Sequence, residues 1–215
     1  MPPDPEPPCA GLVVFDLDGT LLRGRTVCEV IADSLGRGKR MREMEMLTGR
    51  EAIACARREM AGWYANERRE DLLACLAGAE AAAGAAEGIA LLKAHGHAVA
   101  IASITWEFAV RDFARRWGIA DVLGTGLADH CSVTDVWPED KAAFMQRLIR
   151  RHHLDRSQAH AVGDSGGDIP MLHTAGHAWF VGRIAPPGID GLRHCPHSGI
   201  DRIAQEIVLG TGNAA

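Results

Sequence analysis

Two aspartates separated by one residue follow the first apolar run of the sequence. The run spans residues 11–15, and Asp16 and Asp18 come directly after it, followed by Gly19 and Thr20. Because alternate side chains of an extended chain point the same way, we expect both carboxylates in one crevice, formed by a turn at Gly19. Open α/β sheets bind ligands in such crevices. The pattern predicts a functional site, although a solvated acidic turn with a helix cap at Thr20 would use the same residue types.

Three further features follow in the chain. A second apolar run ends at Ser103, Lys141 opens a helical pattern after a Trp-Pro-Glu-Asp turn, and a third apolar run, residues 159–162, leads into Asp164 and Asp168. The carboxyl ends of parallel strands share one edge of a sheet, so these side chains are expected to meet there.

Taken in order, the motifs Asp-x-Asp-x-Thr, strand-end Ser, Lys and Gly-Asp-x-x-x-Asp resemble those of the haloacid dehalogenase superfamily of phosphohydrolases. The resemblance extends over about residues 11 to 182. The sequence Gly-Asp-Ser-Gly-Gly-Asp-Ile-Pro-Met-Leu and an all-helical insertion after the first motif look like the phosphoserine phosphatase branch.

Hydrolysis of a phosphate monoester is among the slowest uncatalysed reactions, so a catalyst needs a positioned nucleophile and much positive charge. Asp16 is predicted to be the nucleophile and to form an aspartyl phosphate, a covalent route open to carboxylates. Asp18 is predicted to act as general acid for the leaving group and then as general base for water. Ser103 and Lys141 are predicted to bind the phosphoryl group.

A divalent cation would neutralise the charge that builds up when one anion attacks another. The resemblance implies Mg²⁺, bound by the carboxylates of Asp16 and Asp164 and by the backbone carbonyl of Asp18. Asp168 is predicted to lie just outside the ligands, where it fixes a metal-bound water or Lys141. The predicted function is therefore Mg²⁺-dependent hydrolysis of a small phosphorylated metabolite.

The alternation of apolar runs and helical patterns predicts an α/β fold, with a mostly parallel, Rossmann-like sheet covered by helices on both faces. About eighty residues separate the first two motifs, far more than a strand–helix–strand crossover needs. We therefore predict an inserted all-helical cap at 25–86 and a core domain formed by 11–24 and 87–209. Residues 1–10 and 210–215 are predicted to be a disordered leader and a disordered tail.

Arginines of the cap are candidates for substrate binding. In the phosphoserine phosphatase branch a Glu commonly stands where this chain has Arg25, seven residues past Asp18. Arg25, Arg57 and Arg58 suggest a pocket for a second anionic group, because arginine forks match carboxylate or phosphate oxygens. Solvated arginines on helix surfaces are the alternative interpretation.

Composition limits the function further. The formal net charge of −5 disfavours broad nucleic-acid binding, and no apolar stretch approaches the ~20 residues of a membrane span. Six cysteines without a paired spacing, and an N-terminus unlike a secretion signal, favour a cytoplasmic protein with reduced thiols. His95 and His97, beside a strand end, are predicted to lie at the surface. Oligomeric state is left open.

The residues raise four alternatives to this function. A phosphotransferase of the same fold would pass the phosphoryl group to an alcohol, and a non-catalytic phosphate-binding module would keep only the fold. A dehalogenase is disfavoured because carbon–halogen cleavage does not need the acid that the second aspartate supplies. A zinc site could combine the following residues: His173, His177, His194, Cys195 and His197.

Overall fold

The structure is a computed structural model that describes residues 9–128 and 131–211. Most of the predicted leader, residues 1–8, lies outside the described residues, as do residues 212–215 of the predicted tail. The described end of the leader is not isolated, because the Ala10 N–H donates to the Gly96 carbonyl at 3.0 Å. None of the described helices is both long enough and apolar enough to cross a membrane.

The described residues form nine strands in two sheets. The strands are β1 (Gly11–Phe15), β2 (Leu22–Arg23), β3 (Glu80–Ala81), β4 (His97–Trp106), β5 (Asp121–Ala128), β6 (Ser132–Thr134), β7 (Ala159–Gly163), β8 (His177–Phe180) and β9 (Arg193–His194). The larger sheet has the order β6-β5-β4-β1-β7-β8-β9, in which only the β5–β6 pair is antiparallel.

Helices occupy the segments between these strands. They are α1 (Val27–Ser34), α2 (Gly38–Glu45), α3 (Arg50–Tyr64), α4 (Arg69–Cys75), α5 (Ala85–Ala94), α6 (Glu107–Arg116), α7 (Pro138–Arg151), α8 (Ile169–Thr174) and α9 (Ile200–Thr211). The predicted α/β fold with a mostly parallel sheet is confirmed.

Strand β1 lies at the centre of the larger sheet and is buried on both faces. Val13 and Phe15 belong to one hydrophobic cluster, shared with α5, α6 and α9, whereas Leu12 and Val14 belong to the other, shared with α7 and α8. This alternation is the period of two expected when both faces of a strand are covered. After β1 the chain builds β4 and β5 on one side and later β7 on the other, so the topological switch point lies at the end of β1.

Four helices, α1 to α4, are inserted between β2 and β3. These two short strands pair antiparallel, Leu22 with Ala81 and Arg23 with Glu80, and form the neck through which the chain leaves and re-enters the α/β core. Helix α1 begins with a capping box: the Glu29 N–H donates to the Thr26 hydroxyl at 3.2 Å, and the Thr26 N–H donates to the Glu29 carboxylate at 2.8 Å.

The surface position predicted for His97 is wrong. Its side chain is only 4% exposed, because His97 is the first residue of β4 and packs beside His160 of β7 with ring centroids 6.4 Å apart. His160 in turn stacks on His177 of β8 at 4.6 Å. Strands β4, β7 and β8, with β1 between the first two, thus contribute a row of histidines.

Candidate active site

The predicted catalytic side chains meet at the carboxyl edge of the sheet. Asp16 follows β1, Asp164 follows β7, and Ser103 lies in β4, the strand on the other side of β1. Lys141 is in the first turn of α7, which begins with Pro138 at its first position, where a missing N–H costs no helical hydrogen bond. The topological switch point therefore carries the site.

Lys141 joins two of the carboxylates. Its Nζ donates to Asp16 Oδ1 and to Asp168 Oδ1, each at 2.6 Å, and all three side chains are buried. Burial alone would lower the pKa of Lys141, but the charges of Asp16 and Asp168 outweigh it and raise the pKa above the ordinary value. The lysine is therefore a fixed positive charge in the site.

Asp168 is held on both sides. Its Oδ1 binds Lys141, and its Oδ2 accepts from the N–H groups of Asp164 and Ser165, each at 3.0 Å. With both oxygens already used, this carboxylate is suited to positioning Lys141 and the loop that carries Asp164.

Negative charge is concentrated around Asp16. Oxygens of Asp16, Asp164 and Asp168 all lie within 4.8 Å of one another. Burial, and then repulsion by Asp168, raise the pKa of Asp16 well above its ordinary value and the pKa of Asp164 to about 6. Crowded carboxylate oxygens of this kind suit a hard divalent cation, which would relieve the repulsion.

Gly19 lets the first loop approach Asp164. It adopts a φ of +85°, and a Cβ at this position would lie 2.2 Å from Asp164 Oδ2. The next residue, Thr20, donates from Oγ1 to Asp164 Oδ1 at 3.4 Å. A side chain at position 19 would separate the two motifs, so glycine is required both by its φ and by this close contact.

Asp18 is fixed by the beginning of the inserted domain. Its Oδ1 accepts from the N–H of Val27, the first residue of α1, at 2.9 Å. Burial raises the pKa of Asp18 to about 6, although the hydrogen bonds from Val27 and Thr105 oppose the rise. Both protonation states are therefore accessible near neutral pH, as general acid–base chemistry requires.

Ser103 was predicted at the end of a strand, but β4 continues to Trp106. The pairing with β5 is irregular between Ala102 and Trp106, and Ser103 lies in this interruption. Its Oγ accepts from the Thr105 N–H at 3.3 Å and keeps its own proton available for a ligand. The apolar run of the sequence ends at Ser103, but the strand continues for three more residues to Trp106, and α6 begins at the next residue.

A cavity of about 390 Å³ lies between the predicted catalytic residues and the inserted helices. Asp16, Asp18, Ser103, Lys141 and Asp164 line its floor. Its other walls come from α1, α2 and α3.

The predicted cap arginines do not share one location. Arg57 lines the cavity, whereas Arg25 and Arg58 are not among its lining residues. Arg25 is exposed and pairs with Asp33, and Arg58 is exposed and contacts the Cys55 sulfur at 3.1 Å.

Arg57 and Asp135 form an ion pair that the sequence analysis did not predict. The two residues are 78 positions apart, and their N–O distance is 2.7 Å. No local pattern links them, and the only signal was the proximity of Asp135 to the Trp-Pro turn before Lys141.

Two members of the alternative histidine cluster bind backbone carbonyls. His177 Nε2 donates to Ser157 O at 3.0 Å, and His194 Nε2 donates to Gly182 O at 2.8 Å. Within the described residues, the group of side chains close enough to share a metal ion is the aspartate cluster.

Comparison with solved structures shows that the fold is similar to that of phosphatases. A phospho-aspartyl intermediate analogue of phosphoserine phosphatase matches with a TM-score of 0.67 and 20% identity over 79% of this chain and 85% of the other. A hydrolase from Salmonella enterica serovar Typhi matches with a TM-score of 0.76 and 19% identity, covering 93% and 72%. A probable phosphoserine phosphatase from Vibrio cholerae matches with a TM-score of 0.74 and 18% identity, covering 97% and 68%.

The comparison with curated protein sequences found no match. The scan against family models, in contrast, matched residues 13–173, a span that contains every catalytic residue predicted above. The match covers most of the chain and confirms the family predicted from the motifs: the chain belongs to the haloacid dehalogenase-like hydrolases.

Proposed function

We propose that this protein is a Mg²⁺-dependent phosphohydrolase that cleaves a small phosphorylated metabolite, a phosphate monoester, through an aspartyl phosphate on Asp16. The observation that carries the proposal is Lys141, buried between Asp16 and Asp168 beside the Asp164 carboxylate. The fold of the chain is similar to that of a phospho-aspartyl intermediate analogue of phosphoserine phosphatase, and this similarity supports the same chemistry.

In the first step, a carboxylate oxygen of Asp16 attacks the phosphorus. The bond between phosphorus and the ester oxygen breaks, and its electron pair goes to the leaving oxygen, which takes a proton from the Asp18 carboxyl. A pKa of about 6 allows Asp18 to be protonated in part of the molecules near neutral pH.

In the second step, Asp18 works as a base. Its carboxylate takes a proton from a water molecule, and the water oxygen attacks the phosphorus of the aspartyl phosphate. The bond between phosphorus and Asp16 breaks, which regenerates the carboxylate and releases inorganic phosphate.

Positive charge and hydrogen bonds stabilise both steps. Lys141 stands next to the attacked group through its contact with Asp16 Oδ1. Ser103 lines the same cavity and can donate its hydroxyl proton to a phosphoryl oxygen.

Mg²⁺ would be held by the carboxylates of Asp16 and Asp164 with the backbone carbonyl of Asp18, and it would supply charge neutralisation for attack on an anionic ester. The pKa of both carboxylates is raised, first by burial and then by repulsion from Asp168, and a bound cation would offset both effects, which supports this ligand set. Asp168 acts through Lys141.

The test is hydrolysis of phenyl phosphate by the purified chain with Mg²⁺, compared with Asp16→Asn. We expect turnover in the wild type and its loss in the variant. Asp190→Asn, an exposed aspartate that does not line the cavity, is the matched control and should keep full activity. Absence of turnover over a wide range of pH and divalent metals would contradict the proposal and favour a phosphate-binding module.

A further inference from the structure

We infer that the substrate's leaving group is an apolar chain or ring without a second anionic group, an inference that rests on the proposed function. It concerns the part of the cavity beyond the phosphoryl site, which α2, α3 and the turn between them enclose.

The walls of this part are apolar. Met41 and Met44 of α2 face Ile53 and Met60 of α3 across the cavity, and all four side chains line it. Methionine is flexible and polarisable, so such walls adapt to apolar groups of different shapes. Most of the hydrogen-bonding side chains that a hydroxylated or carboxylated metabolite would need belong to the core side of the cavity, and the inserted segment adds Thr26, Glu45 and Arg57.

The mouth of the cavity is apolar too. Leu47 and Ile104 line it from the inserted domain and from β4, and they are 38% and 40% exposed. Single exposed hydrophobic residues are common, but two that face one active-site cavity indicate an apolar ligand.

The cations in the cavity are already paired. Lys141 binds Asp16 and Asp168, and Arg57 binds Asp135 and the Val136 carbonyl. Glu45, which also lines the cavity, adds negative charge. A second phosphate or carboxylate on the substrate would therefore meet repulsion without a free partner among the described lining residues.

The volume fits a small leaving group. About 390 Å³ is near the lower end of the roughly 300–1,000 Å³ typical of small-molecule sites. The phosphoryl group occupies the floor, so the remaining space suits a short alkyl chain or one aromatic ring.

A series of n-alkyl phosphates tests the inference. Ethyl, propyl, butyl and hexyl phosphate have leaving groups of nearly equal acidity, so differences in kcat/KM report contacts with the chain. We expect kcat/KM with Mg²⁺ to rise about fourfold per methylene, the fold-change for roughly 0.8 kcal/mol per buried CH₂. A flat or falling series would overturn the inference.

Charged chain ends test the second half of the inference. Relative to butyl phosphate, the ester with a terminal carboxylate should react roughly tenfold or more slowly, because nothing neutralises the added charge. The ester with a terminal amine should also be slower, because its ammonium group loses water among the apolar walls, and a preference for this ester would identify Glu45 as its partner. If either charged ester, or phosphoserine, is preferred, the apolar assignment is wrong.

Two variants locate the effect. Ile104→Ser and Leu47→Ser change partly exposed side chains, so folding should be retained, and each should reduce the gain per methylene to about twofold. Leu209→Ser, a change of a 72% exposed leucine outside the cavity, is the control and should leave the series unchanged.

Binding separates a failure of this inference from a failure of the proposed function. Calorimetric affinities of n-alkylphosphonates, which cannot be hydrolysed, should rise with chain length even if no ester is turned over. Hydrolysis without chain-length dependence would remove the inference and keep the phosphatase. Binding that depends on chain length without any hydrolysis would keep the apolar assignment of the cavity and contradict the proposed phosphatase activity.

Discussion

Arg57 of the inserted helices and Asp135 of the core form an ion pair at 2.7 Å, with side chains 6% and 24% exposed. Arg57 also donates to the Val136 carbonyl at 3.0 Å, and its guanidinium lies 4.6 Å from the ring centre of Trp137. Trp137 immediately precedes α7, which carries Lys141. The inserted helices are thus bound to the segment that leads into α7, the helix that carries Lys141.

Removing this contact should weaken the packing of the inserted helices against the core. In Arg57→Met, Asp135 and the Val136 carbonyl lose their partner, and we expect the free energy of unfolding to fall by about 2–3 kcal/mol, less than for a fully buried pair because Asp135 is partly exposed. KM should rise more than kcat falls, because the residues at the floor of the cavity are unchanged. Denaturant unfolding and steady-state kinetics measure both effects.

Arg58→Met is the control for this experiment. Arg58 is the adjacent residue of α3 and is exposed, so its replacement should change stability by under about 0.5 kcal/mol. Equal effects of the two substitutions would mean that the Arg57 pair does not hold the cap.

Loss of Lys141 should produce a stability defect that grows with pH. In Lys141→Met, Asp16 and Asp168 are left buried without their cation, and activity should fall at least ~10³-fold. The pKa of Asp16, already raised in the fold, should rise further. A carboxyl whose folded pKa exceeds its unfolded pKa favours folding at low pH and opposes it once pH exceeds the folded pKa.

In urea unfolding without metal, the free energy of unfolding of Lys141→Met should therefore be closer to that of the wild type at pH 5 than at pH 8. Lys39→Met, at an exposed position of α2, should show no such dependence. A defect of constant size from pH 5 to 8 would argue against an unpaired carboxylate as its cause.

Gly19→Ala should damage the site beyond the cost of its backbone conformation. The added Cβ would lie 2.2 Å from Asp164 Oδ2, so the loop after β1 and Asp164 must move apart. We expect Mg²⁺ affinity and kcat/KM to fall by at least tenfold, a loss of about 1.4 kcal/mol or more. Calorimetric Mg²⁺ titration and steady-state kinetics provide the measurements.

Gly188→Ala isolates the backbone cost. Gly188 has a similar φ of +78°, but apart from its two chain neighbours no described residue has an atom within 4 Å of the added Cβ. It should lose about 1 kcal/mol of stability and keep its Mg²⁺ affinity. If Gly19→Ala behaves like this control, the close contact with Asp164 does not matter for the site.

Local patterns explain which parts of the site could be predicted. Asp16, Ser103 and Asp164 each follow or interrupt an apolar run, and parallel strands bring such positions together whatever the intervening sequence. The ion pair of Arg57 with Asp135 depends instead on how the cap docks, which no spacing encodes. The position of Arg25 could not be predicted either, because this residue pairs with Asp33 of α1 at the surface instead of lining the cavity.

The burial of His97 and His160 could not be predicted from the sequence either, because histidines near strand ends are more often exposed than buried. His160 is 5% exposed, and burial followed by the nearby His177 and His97 lowers its pKa to about 3. In the unfolded chain the pKa returns to about 6.5. Between these values the unfolded state binds more protons, so stability rises with pH there and falls on acidification.

His160→Phe should remove this acid sensitivity, because the phenyl ring fills similar space and cannot bind a proton. The free energy of unfolding of the wild type should fall by up to ~1.4 kcal/mol per pH unit as pH drops from 6.5 to 4.5. This slope corresponds to the uptake of about one proton on unfolding, and the slope of the variant should be smaller by up to that amount. The variant also deprives Trp179 of its acceptor, at 3.4 Å, so its stability at pH 8 should be somewhat lower. His173→Phe, at an exposed histidine, should keep the wild-type slope; an unchanged slope in His160→Phe would mean that other groups cause the acid sensitivity.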